Sequence, residues 1–293
     1  MPEGKIMKAL SGFYYVKTAD DIYQCRGRGL FRKKKVTPLV GDNVVFDIQE
    51  NKDGYITEIK ERRNELKRPA VANIDQAIIV VSAKEPDFST LLLDRFLILV
   101  ETNDIEPIIF ISKVDVLSSR EFEAIQDYQT IYREIGYKVE MISVKDDRDL
   151  DQLSDYFTNR ISVIAGQSGV GKSSLLNRLN SNLNIETNEI STSLGRGKHT
   201  TRHVELVDIY QGLVADTPGF SSLEFETLEL EALASCFPEM KERQQDCKFR
   251  GCLHVKEPKC AIKQAVEAND IAKFRYEHYL QFYQEIQNRK PRY

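Results

Sequence analysis

Along residues 1–60, apolar and polar positions alternate in short runs broken by turn residues. Gly12-Phe13-Tyr14-Tyr15-Val16, Val44-Val45-Phe46-Asp47-Ile48 and Tyr55-Ile56-Thr57-Glu58-Ile59 are the clearest runs, and Gly41-Asp42 and Lys52-Asp53-Gly54 punctuate them. A period of two at this spacing predicts the short strands of a small barrel or sandwich. Residues 61–69, charged and ended by a proline, read as a linker. Beyond them the rhythm changes. Apolar runs at 77–82, 108–111, 139–142 and 161–165 alternate with helical patterns at 91–101, 121–135 and 149–158. That alternation predicts a parallel sheet covered on both faces. After residue 219 a helical stretch at 228–236 leads into a cysteine-rich loop, and residues 260–286 read as helix. No internal repeat or low-complexity segment is evident.

A chain of 293 residues exceeds the usual single domain, so two or three are expected. With 41% hydrophobic and 29% charged residues, a largely disordered protein is excluded. The strongest apolar stretch, residues 74–83, has the length of a buried strand, so no membrane span is expected. The opening Met-Pro-Glu-Gly-Lys leads into no apolar stretch, so no secretory signal is expected and the chain reads as cytoplasmic. Charge is unevenly spread: residues 1–65 are net basic, 66–220 net acidic, and the remainder balanced. A basic head is compatible with a polyanionic partner.

Chemistry concentrates first at Gly166-Gln167-Ser168-Gly169-Val170-Gly171-Lys172-Ser173-Ser174, which fits G-x-x-x-x-G-K-[ST] between an apolar strand and a helix. Its glycines permit a cradle of backbone N–H groups, and the helix N-terminus adds positive potential for phosphates. Lys172 is placed to reach the β- and γ-phosphates, and the Ser173 hydroxyl to ligate Mg²⁺. Asp216-Thr217-Pro218-Gly219 follows a second apolar run. There Asp216 would hold the Mg²⁺ through water and the Gly219 N–H would meet the γ-phosphate. Alone, D-x-x-G reads equally well as a turn; its distance beyond the phosphate loop favours the functional reading. Between the two motifs lies Gly195-Arg196-Gly197-Lys198-His199-Thr200-Thr201-Arg202-His203, whose Thr201 is the candidate to close on Mg²⁺ and the γ-phosphate.

Ser112-Lys113-Val114-Asp115 resembles the N/T-K-x-D motif of guanine-nucleotide-binding proteins, in which the Asp accepts from guanine N1–H and N2–H. Ser143, in Ser143-Val144-Lys145, resembles their short base-contacting S-A-K motif. Both precede the phosphate loop, which is the order of a circularly permuted GTPase, allowed because domain termini lie close together. Position 112 is Ser where Asn is usual. A shorter side chain keeps only part of the tie between base loop and phosphate loop, whereas Asp115 retains the discrimination for guanine over adenine. Phe220 stands where Ras-like enzymes carry the water-orienting Gln, so slow intrinsic turnover accelerated by a partner is expected. His199 and His203 are candidates for help; the plainer reading is two solvated histidines.

Near the C-terminus, Cys247, Cys252, His254 and Cys260 gather three of the five cysteines. Three thiolates and one imidazole complete a tetrahedral Zn²⁺ shell with no open position, predicting one structural zinc. The alternative is reduced, buried cysteines. Cys25 and Cys236 read as ordinary thiols. Residues 26–35, Arg26-Gly27-Arg28-Gly29-Leu30-Phe31-Arg32-Lys33-Lys34-Lys35, carry six basic residues and no acid, suited to a phosphate backbone and an unstacked base. The tail Arg289-Lys290-Pro291-Arg292-Tyr293 is a second basic candidate.

Together these motifs resemble the RsgA (YjeQ/YloQ) family of circularly permuted GTPases over essentially the whole chain. The resemblance implies a multidomain α/β protein with an OB-fold RNA-binding barrel (1–65), a permuted P-loop GTPase domain (66–222) and a zinc-binding helical domain (223–293). It implies GTP hydrolysis during late maturation of the small ribosomal subunit, with that subunit and its rRNA as partners, no membrane, and a monomer. An RNA-binding assembly scaffold with a nucleotide switch and little turnover is the alternative. A P-loop ATPase or nucleotide kinase is disfavoured by Lys113 and Asp115, and a zinc-dependent nucleic-acid regulator would tolerate loss of Lys172.

Overall fold

The computed structural model describes residues 1–29, 31, 36–49, 53–67, 69–180, 204–216, 225 and 227–289. Five strands form the N-terminal unit: β1 (Glu3–Leu10), β2 (Phe13–Lys17), β3 (Ile22–Gly27), β4 (Asn43–Ile48) and β5 (Asp53–Ile59). They pair in the order β1-β2-β3-β5-β4, and β4 returns to β1 with Gly4 opposite Val44, closing the barrel. β3 and β5 are parallel and the other pairs antiparallel, as in an OB-fold. Alternate side chains point inward, and Ile6, Val16, Cys25, Val44, Phe46 and Ile56 fill the interior.

The stretch read as a linker is structured. β6 (Glu65–Lys67) pairs with β7 (Ala70–Ala72). The Arg62 guanidinium also forks onto the fully buried Asp42 carboxylate, Nε to Oδ1 at 2.7 Å and Nη2 to Oδ2 at 2.8 Å. A bidentate pair at this depth fixes the exit from the barrel, and truncating one partner would strand a buried charge.

β8 (Gln76–Ser82), β9 (Glu106–Ser112), β10 (Lys138–Met141), β11 (Ile161–Ala165), β12 (Val204–Ile209) and β13 (Gly212–Asp216) form the central sheet, ordered β10-β9-β8-β11-β13-β12. β12 runs antiparallel to β13, and the rest are parallel. Every residue of β8 is buried, because helices cover both faces. Ala77, Ile79 and Val81 face the helices Thr90–Glu101 and Ser119–Ile135, while Ile78 and Val80 face Asp147–Gln152, Ser154–Phe157 and Lys172–Leu179. β12 also pairs with β1, Lys8 opposite Glu205 and Ala9 opposite Val204. Barrel and central sheet are therefore one hydrogen-bonded surface.

The C-terminal helices Leu230–Leu233, Pro238–Arg243, Ala261–Glu267 and Lys273–Gln287 enclose a separate core of Phe225, Phe237, Met240, Ile262, Tyr279 and Phe282, joined by Ile98 of the helix Thr90–Glu101. The long helix expected over 260–286 is two helices, because Asn269 at φ +63° closes the first with a left-handed residue. A buried ionic cluster fastens this unit to the central sheet. Arg275 donates to Asp94 Oδ1 at 2.5 Å and to both oxygens of Glu239 at 2.7 and 3.1 Å, and Tyr132 donates to Asp94 at 2.6 Å. Among the described residues, no helix is long and apolar enough to cross a membrane.

Candidate functional site

In the central sheet the chain runs β8-β9-β10 to one side and then returns to place β11 on the other side of β8. Strand order reverses at β8/β11, and the crevice beyond their carboxyl ends is where open α/β sheets bind ligands. The register puts Ser82 opposite Ser112, Ile111 opposite Met141, and Ile79 opposite Ala165. The segments beginning at Ser112, Ser143, Gly166 and Asp216 therefore all leave from one edge.

The phosphate loop turns immediately after β11. Gly166 sits at φ +140°, and a Cβ there would lie 2.2 Å from the Val80 carbonyl oxygen, so no side chain fits. Gly171, at φ +96°, forms the N-cap of the helix Lys172–Leu179. The helix thus begins at the turn, with Ser173 and Ser174 in its first turn, and its N-terminal end stands at the crevice. Lys172 folds back over the loop, donating to Gly166 O at 2.9 Å and Gln167 O at 2.7 Å. An ammonium has three donors, so one stays available to a phosphate oxygen. Burial pulls the Lys172 pKa below the ordinary lysine value, and an anionic phosphate beside it would oppose that shift.

The base loop lies against this cradle. Ser112 is buried, its Oγ 2.7 Å from the Val170 carbonyl of the phosphate loop and 3.1 Å from Val81 O. A hydroxyl has one proton, so the shorter contact to Val170 is the bond that ties the two loops. Lys113 takes a left-handed conformation at φ +61° and its ammonium donates to the Glu85 carbonyl. This turns Val114–Val116 into a short 3₁₀ segment carrying Asp115. Ser143 Oγ donates to Asp115 Oδ1 at 3.0 Å, and Lys145 Nζ donates to Oδ2 at 2.7 Å. The Lys145 bond, helped by Ser143, holds the Asp115 carboxyl below its usual range against the opposing effect of burial. A carboxylate offers about four lone-pair sites, so each oxygen keeps capacity for a guanine N1–H or N2–H. Asp149 accepts from the Ser143 backbone N–H at 2.8 Å, fixing that loop in turn. Lys145 is the Lys of the Ser143-Val144-Lys145 run, but its bond to Asp115 and the part played by Asp149 carry no sequence signal.

Asp216 ends β13, paired with Glu205 of β12. Thr201, Gly219, Phe220, His199, His203 and residues 290–293 lie outside the described residues, as do Leu30 and residues 32–35 of the basic segment. Its described part includes Arg26, 4.6 Å from the centroid of Phe13, and Arg28, paired with Asp47.

In the C-terminal unit, donor atoms of Cys247, Cys252, His254 and Cys260 all lie within 4.8 Å of one another. Cys247 Sγ is 3.9 Å from Cys260 Sγ, and His254 Nδ1 is 3.5 and 3.3 Å from those two sulfurs. A tetrahedral zinc with Zn–S of about 2.3 Å requires sulfurs separated by about 3.8 Å, so the donor set fits one zinc. The loop is built for this convergence. Gly251 and His254 take positive φ, Glu257 accepts three backbone N–H groups at 2.9–3.0 Å, and Tyr276 and Tyr279 donate to the His254 and Leu253 carbonyls at 2.7 and 2.6 Å.

Known proteins are similar to this chain along its length. The family model for the RsgA GTPase matches residues 59–226, and that for the RsgA N-terminal domain matches residues 3–56. The chain is 62% identical over 293 residues to small ribosomal subunit biogenesis GTPase RsgA 2 of Oceanobacillus iheyensis, covering 100% of both. It is 59% identical over 298 aligned positions to small ribosomal subunit biogenesis GTPase RsgA of Bacillus subtilis, again covering 100% of both. Among solved structures it is similar to YloQ, described as a circularly permuted GTPase, at 53% identity and TM-score 0.87 over 100% of this chain and 97% of that one. It is likewise similar to YjeQ from Thermotoga maritima, at 35% identity and TM-score 0.87 over 98% and 99% of the two chains.

Proposed function

The chain belongs to the RsgA family of circularly permuted GTPases and is a GTP hydrolase, and on that premise we propose that it acts on the small ribosomal subunit during that subunit's maturation. The observation that carries this reading is the full-length similarity to relatives named as small ribosomal subunit biogenesis GTPases, and the Ser112 Oγ to Val170 O bond supports the permuted nucleotide site. Family membership implies guanine nucleotide and Mg²⁺.

In this reading, Ser112, Lys113, Val114, Asp115 and Ser143 hold the base. The loop from Gly166 through Gln167, Ser168, Gly169, Val170, Gly171, Lys172, Ser173 and Ser174 holds the phosphates. Lys172 offsets charge developing on the β–γ bridge, Gly219 donates its N–H to the γ-phosphate, and Asp216 orients its side of the Mg²⁺ shell. Ser173 and Thr201 supply hydroxyl ligands to Mg²⁺, which neutralises phosphate charge when bound. Cys247, Cys252, His254 and Cys260 hold one zinc that folds the C-terminal unit. The units are bounded at 1–65, 66–222 and 223–293; the protein is a cytoplasmic monomer, and its barrel meets rRNA through residues 26–35. The barrel's closed OB topology and its Arg26 and Arg28 support that contact.

Co-sedimentation with purified small subunits tests the proposal. Binding that is stronger with a non-hydrolysable GTP analogue than with GDP, and weak to large subunits, is the expected result. Equal binding to both subunits would overturn it.

A further inference from the structure

β10 ends at Met141, and the Ile142 N–H still closes on the Ile111 carbonyl at 2.8 Å. The next N–H, that of Ser143, goes instead to a side chain, the Asp149 carboxylate, at 2.8 Å. Ser143 is only 6% exposed, and a buried N–H without an acceptor costs about as much as a lost hydrogen bond, so Asp149 decides where this residue sits. The rest of Ser143 follows. Its carbonyl accepts from the Asp146 N–H at 3.1 Å, and its Oγ accepts from the Lys145 N–H at 3.2 Å. The single hydroxyl proton is then directed at Asp115 Oδ1, 3.0 Å away. Asp149 is carried on the helix Asp147–Gln152, whose Leu150 shares a core with Leu175 and Leu176 of the helix Lys172–Leu179. Arg178 of that second helix also pairs with Asp147. The acceptor for Ser143 is therefore mounted on an element tied to the phosphate-loop helix.

We propose that Asp149 is a positioning residue for guanine selectivity: through Ser143 it fixes the orientation of the Asp115 carboxylate, so that both oxygens meet the guanine edge at once. The other partner of Asp115, the Lys145 ammonium, belongs to a side chain 78% exposed, and a contact so open to water orients its partner weakly. Ser143 is the buried partner and sets the angle. A carboxylate free to turn about its Cβ–Cγ bond still meets N1–H or N2–H, but loses the paired contact that separates guanine from bases lacking the N2 amine. No bond breaks at the base edge, so the effect falls on nucleotide binding and leaves the chemical step alone. The inference rests on the proposed reading of Asp115 as the residue that reads guanine.

The experiment measures kcat and KM for GTP, and the affinities for GDP and for inosine diphosphate, which lacks the N2 amine. It uses the full chain carrying Asp149→Ala, Asp149→Asn, Asp147→Ala, Ser143→Ala, Asp149→Ala with Ser143→Ala, or Asp115→Asn. Thermal midpoint confirms folding. Asp149→Glu, which keeps the charge but moves the acceptor by one bond, keeps the test available if Asp149→Ala does not fold. Asp149→Ala is expected to weaken GDP about tenfold and inosine diphosphate by about threefold or less, with KM for GTP raised and kcat within about twofold. Asp149→Asn, whose amide oxygen still accepts from the Ser143 N–H, stays within about twofold of the parent protein for both nucleotides, as does Asp147→Ala. Added to Ser143→Ala, Asp149→Ala costs no more than about a further twofold, because the route through Ser143 is already cut. Equal losses for GDP and inosine diphosphate, full additivity with Ser143→Ala, or a loss in Asp147→Ala matching that in Asp149→Ala would overturn the proposal by assigning Asp149 to the stability of its helix alone. If Asp115→Asn leaves GDP affinity intact, the underlying reading of Asp115 fails and the inference with it. If Asp115→Asn is impaired while Asp149→Ala and Asp149→Glu are not, the inference alone fails.

Discussion

Ser112 shows how much one hydroxyl carries. Where an Asn is usual, Ser112 bonds the Val170 carbonyl directly because β9 ends against β8 and the phosphate loop passes above it. Ser112→Ala leaves that buried carbonyl without its side-chain donor and is expected to weaken GTP and GDP binding by about 1–2 kcal/mol each, roughly tenfold, read by fluorescent-nucleotide titration. Asp115 tests the choice of base. Asp115→Asn replaces a carboxylate oxygen by a donor facing guanine N1–H and N2–H, and guanine affinity is expected to fall by about 100-fold without a gain for ATP. Unchanged GTP affinity in that variant would remove Asp115 from the pocket. Both residues were legible as a motif. Lys145 closing on Asp115 was not, because it depends on the parallel register of β9 and β10.

Among the elements, the helix Ser119–Ile135 begins with a capping box in which Ser118 and Glu121 exchange hydrogen bonds. Lys84 and the Ser118 groups hold the Glu121 carboxyl down at about 2, against an ordinary value of 4.5. A folded-state value below the unfolded one stabilises fully above the ordinary value, and this contribution is lost as pH falls from 4.5 toward about 2. Carboxyl-carbon NMR titration of Glu121 reads this directly; a midpoint near 4.5 would contradict it. Arg275 carries more weight because Asp94 is fully buried and Glu239 nearly so. Arg275→Met removes the buried cation from Glu239 and leaves Asp94 with Tyr132 and His278 alone, and is expected to cost about 3–5 kcal/mol in urea denaturation. The strands with clean alternation were legible, as were the sheet's apolar strands and the helices at 91–101 and 121–135, whereas the pattern at 149–158 is two short helices meeting at Leu153. β1 was not, because a bulge between Ile6 and Lys8 buries the neighbours Ile6 and Met7 together and breaks the period of two. The break at Asn269 escaped notice because apolar spacing continues through it, and the Arg275 cluster joins residues too distant in sequence for any local pattern to reveal.

Across the whole molecule, the two segments proposed to meet the γ-phosphate lead in the sequence into different units. The chain after Thr201 enters β12, which is hydrogen-bonded to barrel strand β1 and flanked by the Lys8–Glu205 ion pair at 2.6 Å. The chain after Gly219 reaches Phe225 in the core of the C-terminal unit. If the barrel and the C-terminal unit meet RNA as proposed, both are joined by chain to the proposed nucleotide site. Removing zinc tests one end of this arrangement. Metal binding of about 10 kcal/mol or more rivals the entire stability of a small unit, so chelation is expected to unfold the C-terminal helices and expose them to limited proteolysis. The most direct test of the central claim is GTP turnover by the intact protein alone, with purified small subunits, and with large subunits. Slow turnover alone with strong stimulation by small subunits only is predicted; turnover equally fast without subunits, or stimulated alike by both, would contradict it.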